Sequence, residues 1–243
     1  MTGATQGIGR AIATRLAAEG ARVGVNGPEE TADMKSVVAQ VDGFAVPADI
    51  SDSDEVSSAV AKIEQIVGDV EILVCNAAYM MMGSLAEHDE DDWWKVVDTN
   101  LTGTFNVIQA VLPGMRRQGG GKIVIVTSEW GVIGWPRATA YAASKAGLIS
   151  LTKTLGRELA RENISVNAVA PGVTDTPQLE VDAADAGVSL AEIHARYARD
   201  IPAGRIGRPD EIAATVALLV RKEIGAFVGQ VLQVNGGTTR CRV

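Results

Sequence analysis

Aromatic side chains are scarce in this sequence: Phe, Trp and Tyr make up 4% of its 243 residues, although 47% are hydrophobic. The core must therefore be aliphatic, the composition of Ala-rich helices packed on buried parallel strands. Cysteine is nearly absent. Cys75 and Cys241 cannot staple a chain of this length, which excludes a disulfide-built secreted scaffold and makes a cytoplasmic location the expectation. Cys75 ends an apolar run and reads as a buried free thiol. Positive charge is also in the minority, 22 Lys and Arg against 30 Asp and Glu, for a net charge of −8. That balance argues against nucleic acid or an anionic membrane as the main partner. No apolar run approaches the roughly 18 residues of a membrane span, and no signal peptide is visible. No Cys, His and carboxylate spacing suggests a metal site.

What is present is alternation. Strand patterns at 22–26, 43–46, 70–75, 122–127, 164–169 and 230–234 are separated by helical patterns. The helices are expected at 8–19, 31–41, 51–67, 89–117, 139–161 and 210–221, with Ser51 and Asp54 opening the third. This order predicts an α/β fold in which a doubly wound, Rossmann-like parallel sheet is sandwiched between two helical layers. Residues 1–243 are expected to form a single domain. The polar, Ala-rich stretch 177–203 is expected to be a substrate lid with one or two short helices.

One element is missing from the pattern. A glycine-rich turn that opens a helix ordinarily follows a strand, and here only Met1 precedes Thr2-Gly3. The first and central strand is thus expected to be truncated, leaving ladder groups on two neighbours unpaired. On this ground the natural chain is expected to begin several residues earlier.

Two patterns carry chemistry. Gly3, Gly7 and Gly9 form G-x-x-x-G-x-G at the start of a helix, where glycines let backbone N–H groups approach a pyrophosphate. Tyr141 and Lys145, four apart on the helix at 139–161, lie beside its stripe of Leu148, Leu151, Leu155 and Leu159 and so face inwards. A phenol titrates near pH 10, and a fixed ammonium beside it favours the phenolate, so the pair makes a candidate acid/base. Alone, Y-x-x-x-K is a weak pattern, and its plain reading is a surface pair.

Thr2-Gly3-x-x-x-Gly7-Ile8-Gly9, Asn76-Ala77, Asn100, Ser128, Tyr141-x-x-x-Lys145 and Pro171-Gly172 occur together in one order and spacing. That ordered set resembles the short-chain dehydrogenase/reductase family, in its compact single-domain branch, over essentially the whole chain. The resemblance implies that Tyr141 passes a proton to or from a substrate oxygen. It implies that Lys145 lowers the Tyr141 pKa and holds the nicotinamide ribose. Ser128 would bond the substrate oxygen, and Asn100 would keep a water in the proton relay. Cofactor contacts are implied for Gly3, Thr5, Gln6, Gly7, Ile8, Gly9 and Asn26, for Asp49 and Ile50 at the adenine, and for Asn76 and Ala77. Pro171, Gly172, Thr174 and Thr176 would contact the nicotinamide carboxamide. A homotetramer (or homodimer) built through the helices at about 90–117 and 139–161 and the C-terminal strand is likewise implied.

The chain departs from the family pattern in two places. Ala78 stands where glycine is usual, and Asn26 stands where an acidic or basic side chain selects the cofactor. With Glu29 and Glu30 following and no local cation, NAD is expected over NADP. The reaction expected is hydride transfer between a nicotinamide cofactor and a secondary alcohol or ketone, such as a polyol, a hydroxy acid or another small carbonyl compound. Alternatives are a 3-oxoacyl-carrier-protein reductase, or an isomerase or dehydratase with tightly bound NAD(P); a non-catalytic nucleotide sensor fits less well with Ser128, Tyr141 and Lys145 all present. An acidic carrier would want a basic patch, which a chain carrying Glu158 and Glu162 does not offer clearly. Substrate contacts are expected from Ser128, Met80, Trp130, Trp135 and Gln178, with Met81 and Met82 as further wall residues. Glu129 is expected to turn away into a salt bridge, and His194 to be a lid surface residue.

Overall fold

The structure is a computed structural model and describes residues 1–239; Cys241 lies outside the described residues. Helices and strands alternate as α1 (Gly7–Ala18), β1 (Gly24–Gly27), α2 (Ala32–Val41), β2 (Phe44–Pro47), α3 (Ser53–Val67) and β3 (Ile72–Cys75). They continue as α4 (Glu90–Val97), α5 (Gly103–Arg117), β4 (Gly121–Val126), α6 (Trp130–Ile133), α7 (Thr139–Leu159) and β5 (Ile164–Pro171). The chain closes with α8 (Gln178–Asp185), α9 (Leu190–Asp200), α10 (Pro209–Leu219) and β6 (Val231–Val234). No described helix is long and apolar enough to cross a membrane.

All strand pairs are parallel. β3, β4, β5 and β6 form one sheet in that order, and β1 pairs with β2 in a second, two-stranded sheet. Along β4, Val124 and Val126 face a cluster built with Ile12, Leu16, Ile212 and Val216 of α1 and α10. Ile123 and Ile125 face the opposite cluster, with Val107, Val111, Leu148 and Leu159 of α5 and α7. Both faces of the strand are thus covered, which is why its sequence reads as an unbroken apolar run. Cys75 belongs to the second cluster and is a buried free thiol.

The expected single sheet is therefore divided in two. The segment Met1–Ala4 joins the parts by backbone hydrogen bonds. The Thr2 N–H donates to Val74 O at 3.0 Å, while Asn26 N–H donates to Met1 O at 3.1 Å and Ala4 N–H to Asn26 O at 2.9 Å. Below this bridge, a cavity of about 610 Å³ separates the two sheets, lined by Val23, Val46, Val60, Ile72 and Val74 among others. It is the larger cavity, yet it lies away from Ser128, Tyr141 and Lys145.

Three local expectations are corrected. The third helix is capped by Asp52, whose carboxylate accepts from the Asp54 and Glu55 N–H groups, while Ser51 is tied back to Asp49. The long helix at 89–117 is interrupted by a π-helical turn at Asp98–Thr102. Residues 130–133, outside the expected helices, form the short helix α6.

Candidate active site

Helix α7 presents Tyr141, Ser144 and Lys145 towards the C-terminal ends of β4 and β5, where the next side chain after β4 is Thr127 and the one after that Ser128. The Ser128 hydroxyl stands near the Tyr141 phenol and favours its ionised form. Trp130 N–H donates to Ser128 Oγ at 3.2 Å, fixing that hydroxyl from the other side. Lys145 is 2% exposed, and its Nζ donates to Val126 O at 2.9 Å and stands 5.5 Å from the Tyr141 ring centroid. A buried ammonium needs such a partner, because an unpaired one is expelled or neutralised.

Burial sets the electrostatics. It pushes the Tyr141 phenol up to about 12, against a smaller downward pull from Ser128. It pushes Lys145 down to about 8, with Cys75 opposing, while the Cys75 thiol is itself pushed up to about 12 by burial. The expected lowering of the phenol by the ammonium is therefore outweighed by desolvation. At neutral pH the site holds a neutral phenol, which can donate a proton, above an ammonium, which can replace it.

Asn100 sits in the π-helical turn and is completely buried. Its Nδ2 donates to Tyr79 O at 3.0 Å and to Ser144 Oγ at 3.1 Å, and Ser144 Oγ donates to Tyr141 O at 2.8 Å. One buried amide thereby links the loop after β3 to the helix that carries Tyr141. Insertion of a residue into a helix at such a point is a common functional device.

The glycine turn fits a dinucleotide. Gly3 and Gly7 have φ of +58° and +51°, which favour glycine, and a Cβ on Gly9 would stand 1.9 Å from the Gly3 carbonyl oxygen. A Cβ on Gly3 would meet Ala77 Cα at 2.6 Å. Asn76 holds the turn from β3, donating from Nδ2 to Gly3 O at 2.7 Å and from its N–H to Thr2 Oγ1 at 2.9 Å. Helix α1 begins at Gly7 behind Gln6, which supplies no side-chain cap. Its first N–H groups are left to a ligand, and the dipole favours an anion there.

From beside this turn a cavity of about 210 Å³ leads to Ser128, Tyr141 and Lys145. Its lining includes Ile8, Asn76, Ser128, Tyr141, Lys145, Pro171, Gly172, Thr174 and Thr176 from the expected set, together with Met80, Trp130 and Gln178 on the substrate side. Thr174 Oγ1 donates to Gly172 O at 2.9 Å and so shapes the loop after β5. The departure at Ala78 lies in this wall as well.

Other expected residues take different places. The Asn26 amide donates to Val46 O at 2.9 Å and Ala48 O at 3.0 Å, and its Oδ1 accepts from Gly3 N–H at 3.4 Å, so its side chain braces the ends of β1 and β2 against the glycine turn. The Asp49 carboxylate accepts from Ser51 N–H and Oγ, and Ile50 packs against Gly103. Trp135 stands behind the wall, stacked on Trp130 at 5.0 Å between centroids, and Met81 and Met82 are not in the lining. His194 is half-buried, 3.5 Å from Asp175.

Glu129 does not turn away. It is 3% exposed, beside the Asn235 side chain and the Val173 backbone, and its Oε2 has no hydrogen-bond partner among the described residues. Burial raises its pKa, the usual result for a carboxyl held away from water. Asp182 and Tyr197, which line the same cavity from α8 and α9, were not singled out from the sequence. The signal was there in part: Asp182 follows Gln178 by four residues, which places both on one helix face.

Known proteins share this arrangement. A family model described as Enoyl-(Acyl carrier protein) reductase matches residues 3–239. A 3-oxoacyl-[acyl-carrier-protein] reductase FabG of Staphylococcus aureus is 40% identical, with 98% of this chain and 96% of that one covered. A crystal structure of a variant actinorhodin polyketide ketoreductase with NADPH superposes with a TM-score of 0.93 at 38% identity, covering 98% of this chain and 95% of the other. The ligand-free aldohexose dehydrogenase of Thermoplasma acidophilum gives 0.90 at 29% identity, over 100% and 94% of the two chains. With its parallel Rossmann-like sheets, phosphate turn and Ser-Tyr-Lys geometry, the chain belongs to the short-chain dehydrogenase/reductase family, the NAD(P)-dependent oxidoreductases of alcohol and carbonyl groups.

Proposed function

We propose that this chain acts as one dinucleotide-binding and catalytic unit on a small secondary alcohol or ketone, with Tyr141 as its acid/base. The observation that carries this is the convergence of Ser128, Tyr141 and the buried Lys145 on one cavity, whose wall also takes in Ile8 and Asn76 beside the glycine turn. The nicotinamide cofactor supplies or accepts the hydride. Gly3, Thr5, Gln6, Gly7, Ile8 and Gly9 would hold its pyrophosphate, Asn76 and Ala77 would lie beneath it, and Pro171, Gly172, Thr174 and Thr176 would face its carboxamide. In reduction, Ser128 donates a hydrogen bond to the carbonyl oxygen and polarises it. As the carbon becomes tetrahedral, Tyr141 gives its phenolic proton to the developing alkoxide. Lys145 then returns a proton to the phenolate. Asn100 holds the Tyr79 loop and α7 at fixed separation, so that the donor and the substrate oxygen stay in line.

The neutral phenol at physiological pH favours reduction as the direction in which the resting site is correctly protonated. NAD is the preferred cofactor on local charge: β1 ends at Gly27, Pro28, Glu29 and Glu30 follow it, and the nearby Lys35 is 3.5 Å from the Glu30 carboxylate. No cation there is free to meet a 2′-phosphate.

A second reading, reduction of a 3-oxoacyl group on a carrier protein, is supported by the names of the relatives. Kinetics with NAD and NADP in parallel, on free ketones, polyols and a carrier-bound thioester, separate the two readings. Tyr141→Phe should abolish turnover on any of these while cofactor affinity changes little. A variant within tenfold of wild type would refute the assignment of Tyr141.

A further inference from the structure

Helices α8 and α9 close over the cavity mouth on a small core of their own, Leu179, Ala183 and Ile193. On the face turned to the cavity they carry a built polar group. Asp182 accepts at Oδ1 from Gln178 Nε2 and at Oδ2 from the Tyr197 hydroxyl, each at 3.1 Å. Gln178, Asp182 and Tyr197 line the same cavity as Ser128 and Tyr141, which puts this carboxylate in the wall that a substrate held at Tyr141 would share. A carboxylate has about four lone-pair sites. The two protein donors fix its orientation and leave the others to a ligand.

The rest of the wall narrows the choice. Met80, Trp130 and Leu179 are apolar, and Glu129 is a second acid. The single cation in the lining is Lys145, already bonded to Val126 O. A substrate carboxylate or phosphate would meet two acids and no free cation. A substrate with several hydroxyl donors would find an oriented acceptor.

We propose that Asp182, held by Gln178 and Tyr197, determines specificity, and that the substrate is a neutral polyhydroxy ketone or the corresponding polyol. This rests on the reading of Tyr141 as the proton-transfer residue. Asp182 touches hydroxyl groups away from the reacting carbon and takes no part in the transfer itself.

The test is the kcat/KM of wild type, Asp182→Asn and Asp182→Lys on four arms: a ketohexose, a 2-keto acid, cyclohexanone and a carrier-bound 3-oxoacyl thioester. Wild type should prefer the ketohexose. Asp182→Asn should lower the ratio of ketohexose to cyclohexanone by about 10–100-fold, mostly through KM, as loss of a charge-assisted hydrogen bond does. Asp182→Lys should raise the ratio of 2-keto acid to ketohexose by at least about tenfold, a gain that misfolding cannot mimic. Preference of the wild type for any other arm, or ratios that move less than about threefold in both variants, overturns the proposal. Tyr141→Phe run alongside keeps the two ideas apart. If it is inactive on every arm while the ratios stay flat, the specificity role alone falls; if it stays active, the reading beneath falls.

Discussion

Asn100 and Tyr79 bond reciprocally: the Tyr79 N–H donates to Asn100 Oδ1 at 2.7 Å, and Asn100 Nδ2 donates back to Tyr79 O at 3.0 Å. The side-chain amide imitates a strand partner for a loop that has none, and the same Nδ2 reaches Ser144 on α7. Removing it strands buried donors and acceptors. Asn100→Ala should lower stability by about 2–4 kcal/mol, read from the urea midpoint at constant slope, and should slow turnover through a displaced Tyr141. Unchanged stability would show that water can replace the amide.

The pH profile follows from two buried groups. Lys145, held down to about 8, is charged below that pH and neutral above it, whereas Tyr141, pushed up to about 12, stays protonated throughout the working range. Carbonyl reduction should therefore be flat on the acid side and fall above about pH 8, as the ammonium that restores the phenol is lost. Alcohol oxidation needs a proton acceptor and should rise over the same interval. Measuring both directions from pH 6 to 10 checks this, and parallel profiles would count against it. Lys145→Ala should lose both turnover and cofactor affinity.

Gly9→Ala tests the phosphate turn. The added methyl would overlap the Gly3 carbonyl oxygen, and backbone cannot step aside as a side chain end can. A stability loss of at least about 2 kcal/mol is expected, together with loss of the thermal shift that NAD or NADP gives the parent protein. A normal shift would mean that the turn is not the pyrophosphate site.

Assembly is testable as well. Trp94 and Phe105, on α4 and α5, are large apolar side chains 49% and 50% exposed. A tetramer through these helices is the expectation. Phe105→Asp should shift the mass measured by light scattering to that of a smaller species, and a wild-type monomer would dismiss the idea.

Much of this molecule was legible in its sequence, because aliphatic strands alternate with helices that announce their own starts. Thr31 and Asp89 cap α2 and α4 by local bonds. Tyr141, Lys145 and Ser128 were readable because helix spacing and the residue after a strand fix them. Distant contacts were not. The inward turn of Asn26 depends on carbonyls at 46 and 48, and the burial of Glu129 depends on Asn235. The π-helical turn adds one residue to a helix without disturbing its apolar stripe enough to show. Asp182 and Tyr197 meet across fifteen residues of polar, Ala-rich sequence whose periodicity is weak.

The indoles of Trp130 and Trp135 lie nearly parallel, 2° apart, and the edge of Trp130 meets Tyr141 at 5.9 Å between centroids. Two such chromophores at stacking distance exchange excitation, so the pair should give a coupled signal in near-ultraviolet circular dichroism and a partly quenched emission. Because one partner is wall and the other is half in solvent, whatever enters beside Tyr141 should alter that coupling. The protein thus carries an optical gauge of its own active site, readable without a label and without turnover.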